Sequence, residues 1–223
     1  MLDASQKNFY LIAGPNGSGK TTLGRELIKE EKIEFLNADD IAACQHVSII
    51  HAGRILLQKI DRVLSENKSF AWETTLSGVM HRNVIARALA NNYKLIFLYV
   101  FLASAEQNVA RIAQRVALGG HYVDSDVVRR RIMRSILNFE EVYKVAHQWE
   151  LYYNGSMQYE LIAHGIKENM IVENSRIYGS FKAKQAQILS KKLLDLANRG
   201  AKKAQDAAAA AGVAVEYRDL HLR

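Results

Sequence analysis

The sequence predicts an α/β fold, with a doubly wound and mainly parallel sheet flanked by helices, and two patterns carry that prediction. Short apolar or β-branched runs alternate with segments of helical period along most of the chain. A glycine-rich turn, Gly14-Pro15-Asn16-Gly17-Ser18-Gly19-Lys20-Thr21, joins the first such run to the first helical segment. That strand–turn–helix context is what a phosphate-binding loop requires, and it makes the expected fold that of a P-loop NTPase.

The strands are expected at 8–13, 33–37, 69–73, 94–102, 159–163 and 169–172. Most are apolar enough to be buried on both faces of a parallel sheet. Residues 48–66 place Ile49, Ala52, Leu56, Ile60, Val63 and Leu64 on one helical stripe. Similar spacing marks 79–91 and 105–118, and 125–149 reads as one long helical segment with Asp124 or Ser125 at its cap. Residues 180–211 are rich in Ala, Lys, Gln and Leu and stop at Gly212, a strong helix with a glycine end. The tail 213–218 alternates like a short strand. The expected organisation is a nucleotide-binding domain over 1–180, with a lid at about 105–149, and a C-terminal helix and strand over 181–223 packed on it.

Composition narrows the function classes. The 223 residues suit one α/β domain with appendages, and 49% hydrophobic content suffices for a sizeable core. A net charge of +7 fits a polyanionic partner such as a nucleotide. Nucleic acid is not expected, because the densest basic cluster, Arg129-Arg130-Arg131, is short. With Cys44 alone, no intrachain disulfide can form, and a reducing cytoplasm is the expected location. The longest apolar run, Leu95 to Ala103, is too short to span a bilayer, so no membrane partner is expected. The N-terminus lacks a signal-peptide core.

In the turn itself, the glycines let successive N–H groups face phosphate oxygens, and the following helix adds a favourable dipole. Lys20 is expected at the β- and γ-phosphates, and the Thr21 hydroxyl at Mg²⁺. The expected nucleotide-binding residues are Gly14, Pro15, Asn16, Gly17, Ser18, Gly19, Lys20, Thr21 and Thr22, with ATP and Mg²⁺ as cofactors.

In a doubly wound sheet ligands gather at the carboxyl ends of the strands. The second strand ends in Asn37-Ala38-Asp39-Asp40. Asp39 suits deprotonation of an acceptor hydroxyl, or a hold on Mg²⁺ through water, while Asp40 suits a helix cap. The third strand ends in Glu73-Thr74-Thr75-Leu76-Ser77-Gly78. Glu73 suits a substrate hydroxyl or a metal-bound water, and the hydroxyl residues after it suit a capping turn. The fourth strand ends without an acid, which argues against a motor-type ATPase and for a small-molecule kinase.

Arg111 and Arg115 share a helix face. Gly119-Gly120 breaks that helix, His121 follows, and Arg129, Arg130 and Arg131 open the next. Either this is a solvated basic hairpin, or it is a mobile lid whose arginines neutralise a transferring phosphoryl group. The phosphate loop in the same chain favours the lid. His121 suits orientation of substrate or phosphate, or a turn cap.

Together these motifs resemble the zeta toxin family of P-loop kinases, in its Gly-Gly-His lid branch. The matching pieces are the phosphate loop at 14–21, Asn37-Ala38-Asp39, Glu73 to Gly78, and Arg115-Val-Ala-Leu-Gly-Gly-His121 with Arg130 and Arg131, over roughly residues 8–180. The resemblance implies an ATP-dependent kinase. Characterised members phosphorylate the 3′-hydroxyl of the amino sugar in UDP-N-acetylglucosamine, which blocks cell-wall synthesis. It implies Asp39 as base and Glu73 and Thr74 as substrate contacts, and Thr75 and His121 are expected at the substrate beside them. It also implies Lys20 and Thr21 at ATP and Mg²⁺, and Arg115 with one of the arginines at 129–131, Arg130 the choice, as stabilisers of the transition state; Lys20 is expected among the catalytic residues. A small helical antitoxin would be a separate chain. The sequence departs from the branch at Asp124, where proline is usual, and at Tyr153-Asn154-Gly155-Ser156, where Asp-Asn-Ser is common. Two other readings remain beside this one. They are a kinase acting on another sugar, nucleoside or dinucleotide, and a non-catalytic ATP-binding switch with the basic C-terminal helix as its partner surface.

Overall fold

A computed structural model of the chain describes residues 6–29, 33–119, 122–155, 158–167 and 169–211. The expected tail strand at 213–218 and His121 lie outside these residues. The chain divides into two compact units, Met1–Tyr178 and Gly179–Arg223. The first carries the sheet, and the second consists, among the described residues, of the greater part of one long helix.

The elements follow in the order β1 (Asn8–Ala13), α1 (Lys20–Ile28), β2 (Glu34–Leu36), α2 (Ala38–Gln45), α3 (Ile49–Ser65), β3 (Phe70–Thr74) and α4 (Met80–Ala90). They continue with β4 (Lys94–Phe101), α5 (Ala105–Ala117), α6 (Ser125–Tyr143), β5 (Gln148–Tyr153), β6 (Glu160–Ile166), β7 (Asn169–Val172) and α7 (Ser175–Ala210). The sheet has seven strands in the order β2-β3-β1-β4-β5-β6-β7. The first five are parallel, and at one edge β6 pairs antiparallel with β5 and β7 antiparallel with β6. This is the mixed α/β sheet of a P-loop NTPase.

β1 lies at the centre because it is apolar on both faces. Phe9, Leu11, Ile12 and Ala13 are all fully buried. On one face Phe9 stacks on Phe70 with ring centroids 4.5 Å apart, and Trp72 lies beyond. On the other, Ile12, Ala71 and Leu98 pack with Ile28 of α1. β1 pairs with β3 on one side and β4 on the other, so their carboxyl ends flank the phosphate loop.

Three sequence expectations need correction. The segment 125–149 is not one helix. α6 stops at Tyr143, and β5 begins at Gln148 and pairs parallel with β4. Its signal was the alternation of buried Trp149 and Leu151 with half-buried Gln148 and Glu150. Second, Asp40 does not cap α2. Asn37 does, its side chain accepting the N–H of Asp39 at 2.7 Å, while Asp40 pairs with Arg25. Third, Ile49 does not join the buried stripe of α3. Ala52, Leu56, Ile60, Val63 and Leu64 are buried, and Ile49 is 45% exposed at the cavity described below.

Candidate active site

The phosphate loop spans the turn between β1 and α1, and its glycines are demanded by space as well as by backbone. Gly19 has φ +91°, and a Cβ there would lie 2.3 Å from Asn154 Nδ2 and 2.8 Å from the Tyr159 hydroxyl. Gly14, with φ +147°, would meet Val100 O at 2.1 Å. Gly19 caps α1 with no side-chain acceptor, while the N–H groups of Thr22 and Leu23 bond to Gly19 O. The first amides of a helix have no intrahelical acceptor, and at this N-terminus that is the chemistry of an anion site. Ser18 Oγ is buried inside the loop without a hydrogen-bond partner among the described residues. These features fit the phosphates of a nucleotide.

Lys20 is buried and lies 3.3 Å from Glu73 Oε1, which projects from the end of β3. The other carboxylate oxygen, Oε2, accepts a hydrogen bond from Asn37 Nδ2 at 2.9 Å. Each partner therefore has its charge compensated, as burial requires. The acid sought at the end of β4 stands instead on β3, the other neighbour of β1. β4 ends in Phe101 and Leu102, both buried.

Beside this pair lies a cavity of about 200 Å³. Its polar wall includes Asn16, Lys20, Asn37, Asp39, Glu73 and Arg131. Thr74, Thr75 and Ser77 close one side, and Ile49, Leu56, Trp72 and Met80 supply apolar surface. Asp39 is exposed in the first turn of α2, held there by the Asn37 cap. The loop after β3 is itself bonded. Thr74 Oγ1 accepts the Leu76 N–H at 3.2 Å, and the Thr75 and Ser77 hydroxyls are 2.8 Å apart. Leu76 has φ +54°, and Asn138 Nδ2 of α6 holds that turn by donating to Leu76 O at 2.8 Å and Gly78 O at 3.1 Å.

The arginines separate into distinct settings. Arg131 lines the cavity, with Nη1 3.4 Å from Asn16 Oδ1. Arg130 is exposed on α6 and is not part of the cavity wall. Arg129 pairs with Glu106 at 2.6 Å. Arg115 is exposed on α5. Arg111, expected to face the phosphoryl group, donates to Asn154 O at 2.7 Å.

Sequence reasoning missed the side chains that hold the loop from outside. Asn108, buried on α5, donates to Asn16 O at 2.7 Å. Asn154, just after β5, donates to Ser18 O at 2.8 Å, and the Tyr159 hydroxyl donates to Gly19 O at 2.8 Å. Thus α5 is tied to the phosphate loop at its base rather than swinging free of it. A buried asparagine at 108 on an otherwise amphipathic helix was the one available signal.

Among the described residues no group of three or more His, Cys, Asp or Glu could hold a metal ion. Mg²⁺ in phosphoryl-transfer sites needs no such cage, since phosphates and waters supply most of its ligands. The half-buried Thr21 with Asp39 or Glu73 fits that sparse donor set. His81, buried at the start of α4 near this loop, has its pKa lowered by burial first and by Arg82 second. Its Nε2 has no partner among the described residues.

A family model described as an AAA domain matches residues 10–142. Over 132 residues the chain is 29% identical to an uncharacterised protein of Haemophilus influenzae, covering 56% of this chain and 93% of that one. Over 35 residues it is 51% identical to shikimate kinase of Francisella tularensis subsp. novicida, spanning 16% of this chain and only 19% of the enzyme. Among solved structures it is similar to AvrRxo1-ORF1:-ORF2 with ATP, at a TM-score of 0.68 and 16% identity, covering 82% of this chain and 65% of that one. It is also similar to a structure of the PezAT chromosomal toxin-antitoxin system of Streptococcus pneumoniae, at a TM-score of 0.55 and 15% identity, covering 86% and 89%. At these identities the structural likeness is one of fold.

Proposed function

We propose, for a chain that belongs to the AAA domain family as a kinase-like P-loop protein, that it is an ATP-dependent small-molecule kinase of zeta toxin type. The acceptor in this reading is a hydroxyl of a UDP-sugar such as UDP-N-acetylglucosamine. One observation carries it. A cavity at the carboxyl ends of β2 and β3 and the phosphate loop is lined by a carboxylate, Asp39, the lysine of the phosphate loop, Lys20, and a guanidinium, Arg131. A phosphoryl transfer needs little covalent help from the protein and much positioning and charge stabilisation.

The residues divide the work as follows. The loop amides and Lys20 bind the triphosphate, and Thr21 would hold Mg²⁺. Bound Mg²⁺ neutralises charge on the β- and γ-phosphates. Asp39 accepts the proton of the acceptor hydroxyl as its oxygen bonds to the γ-phosphorus and the bond to the β–γ bridging oxygen breaks, releasing ADP. Arg131, rather than Arg130, is the lid arginine best placed to stabilise the transferring group, and Arg115 is the second candidate. Glu73 and the Thr74–Thr75 hydroxyls orient the acceptor, and Glu73 also keeps Lys20 in place before nucleotide arrives. His121 is proposed as a further contact to the acceptor.

The relatives support it. One is a shikimate kinase, one structure was determined with ATP, and another belongs to a toxin-antitoxin system. A small antitoxin protein is therefore the partner we propose. The reading is tested by transfer of label from [γ-³²P]ATP with Mg²⁺ to UDP-N-acetylglucosamine, free sugars and nucleosides. Label on the UDP-sugar, lost in Lys20→Ala, is the expected result. Label on another acceptor would remove the UDP-sugar, and no transfer to any acceptor would remove the kinase.

A further inference from the structure

The cavity has a feature that phosphoryl transfer alone does not explain. α3 presents Ile49, Gly53 and Leu56 to it, positions i, i+4 and i+7 of one helical face. Gly53 is the fifth residue of a 17-residue helix, inside its second turn, where glycine is destabilising relative to alanine. Its backbone needs no glycine, since it is helical and not among the residues of positive φ. Nothing lies within 4 Å of a Cβ built there, so no neighbour demands a small residue either. The space that a side chain at 53 would occupy opens on the cavity that Gly53 lines.

The lining around that space has a definite chemistry. Ile49 and Leu56 on α3, with Trp72 and Met80 opposite, make an apolar seat. Among the described residues, the cationic side chains on the wall are Lys20, already paired with Glu73, and Arg131, which lies near Asn16 of the phosphate loop. The seat itself therefore offers no partner for a phosphate or carboxylate, and an unpaired charge there would be costly. A volume of about 200 Å³ is below the roughly 300 Å³ at which pockets for drug-sized ligands begin.

We propose that Gly53 sets the depth of an acceptor seat, formed with Ile49 and Leu56, that admits one uncharged, hydroxyl-bearing ring lying with its apolar face on α3. The inference rests on the kinase reading for its acceptor and deepens it. Any charged part of a larger acceptor stays outside the seat, and the ring turns its hydroxyl edge toward Asp39, Glu73 and the Thr74–Thr75 hydroxyls. Gly53 is a specificity-determining residue here, acting through the room it leaves.

The test compares wild type with Gly53→Ala and Gly53→Leu. It uses melting temperature, KM for ATP, and KM for the acceptor that the label-transfer assay identifies. Because alanine favours the helix and clashes with nothing, Gly53→Ala should raise Tm by about 1–4 °C. Gly53→Leu should raise the acceptor KM at least 10-fold while the ATP KM changes less than twofold. A merely structural glycine would not give a Gly53→Leu protein that is poorer with acceptor alone while Gly53→Ala is the more stable. An unchanged acceptor KM in Gly53→Leu, or equal rises for ATP and acceptor, overturns the seat. Should wild type transfer label to nothing, the kinase reading fails by itself. The seat is then read by quenching of Trp72 fluorescence with N-acetylglucosamine, using Trp149→Phe as background. Saturable quenching lost in Gly53→Leu supports the seat, and absence of saturable quenching in the background protein refutes it.

Discussion

Replacing Glu73 by Gln isolates the electrostatics of the site, because both partners of its ion pair are nearly out of water. The side chains of Lys20 and Glu73 are 9% and 5% exposed, and their charged atoms are 3.3 Å apart. Removing one member of a buried pair leaves the other charge uncompensated, at a cost of about 3–5 kcal/mol. Gln has nearly the shape of Glu and keeps an acceptor for Asn37 Nδ2, so the lower figure, about 3 kcal/mol, applies. For a chain of this size each kcal/mol moves Tm by about 2–4 °C, so a fall of about 6–12 °C is expected. Nucleotide then changes the comparison. In Glu73→Gln the phosphates supply the countercharge that Lys20 has lost, whereas in wild type they must compete with Glu73 for it. The rise in Tm with saturating Mg-ATP should therefore be larger in the variant than in wild type. Thermal unfolding followed by circular dichroism, with and without Mg-ATP, measures both quantities. A variant melting within 2 °C of wild type, or equal nucleotide shifts in the two proteins, would refute this account of the pair.

Two further outcomes follow from the same contacts. Tyr159→Phe removes the 2.8 Å bond to Gly19 O, worth about 1 kcal/mol, and should lower Tm by about 2–4 °C while raising the KM for ATP more than that for acceptor, as steady-state kinetics would show. For His81 the sign comes from linkage. Burial holds its folded pKa below 6.5, so the unfolded chain binds the extra proton first as pH falls. Stability is then retained above about 6.5 and lost progressively as pH drops from there toward the lowered value, where His147, shifted the same way, adds to the loss. Tm measured from pH 8 to pH 5 should fall less steeply in His81→Gln than in wild type, and an identical slope would show that His81 is not responsible.

How much of this was legible beforehand depended on whether the determinant was local. The phosphate loop could be read because Gly14, Gly17 and Gly19 sit at fixed offsets between an apolar strand and a helix. Asn37, Asp39 and Glu73 could be read because a parallel sheet brings strand ends together whatever the loops do. The strand β5 was hidden by its neighbour α6. The helical period of 125–143 runs almost into Gln148, and four residues of turn give little warning. The latch on the loop was hidden for another reason. Asn154 and Tyr159 are 136 and 140 residues from their partners, and a hydrogen bond to a backbone carbonyl leaves no pattern in sequence. The choice among three consecutive arginines needed the rotation of α6, which turns Arg131 to the cavity and Arg129 to Glu106. Gly53 carries no signal in sequence, because its role depends on the open space beside it.

The central claim is that Asp39 takes the proton of an acceptor hydroxyl during phosphoryl transfer, and Asp39→Asn tests it most directly. Asparagine is nearly isosteric and leaves the Asn37 cap on its backbone N–H intact. Single-turnover label transfer from [γ-³²P]ATP should slow by about 10²–10⁴-fold, the usual worth of a positioned base, with ATP affinity changed less than threefold. Transfer within threefold of wild type at unchanged ATP affinity would contradict the account.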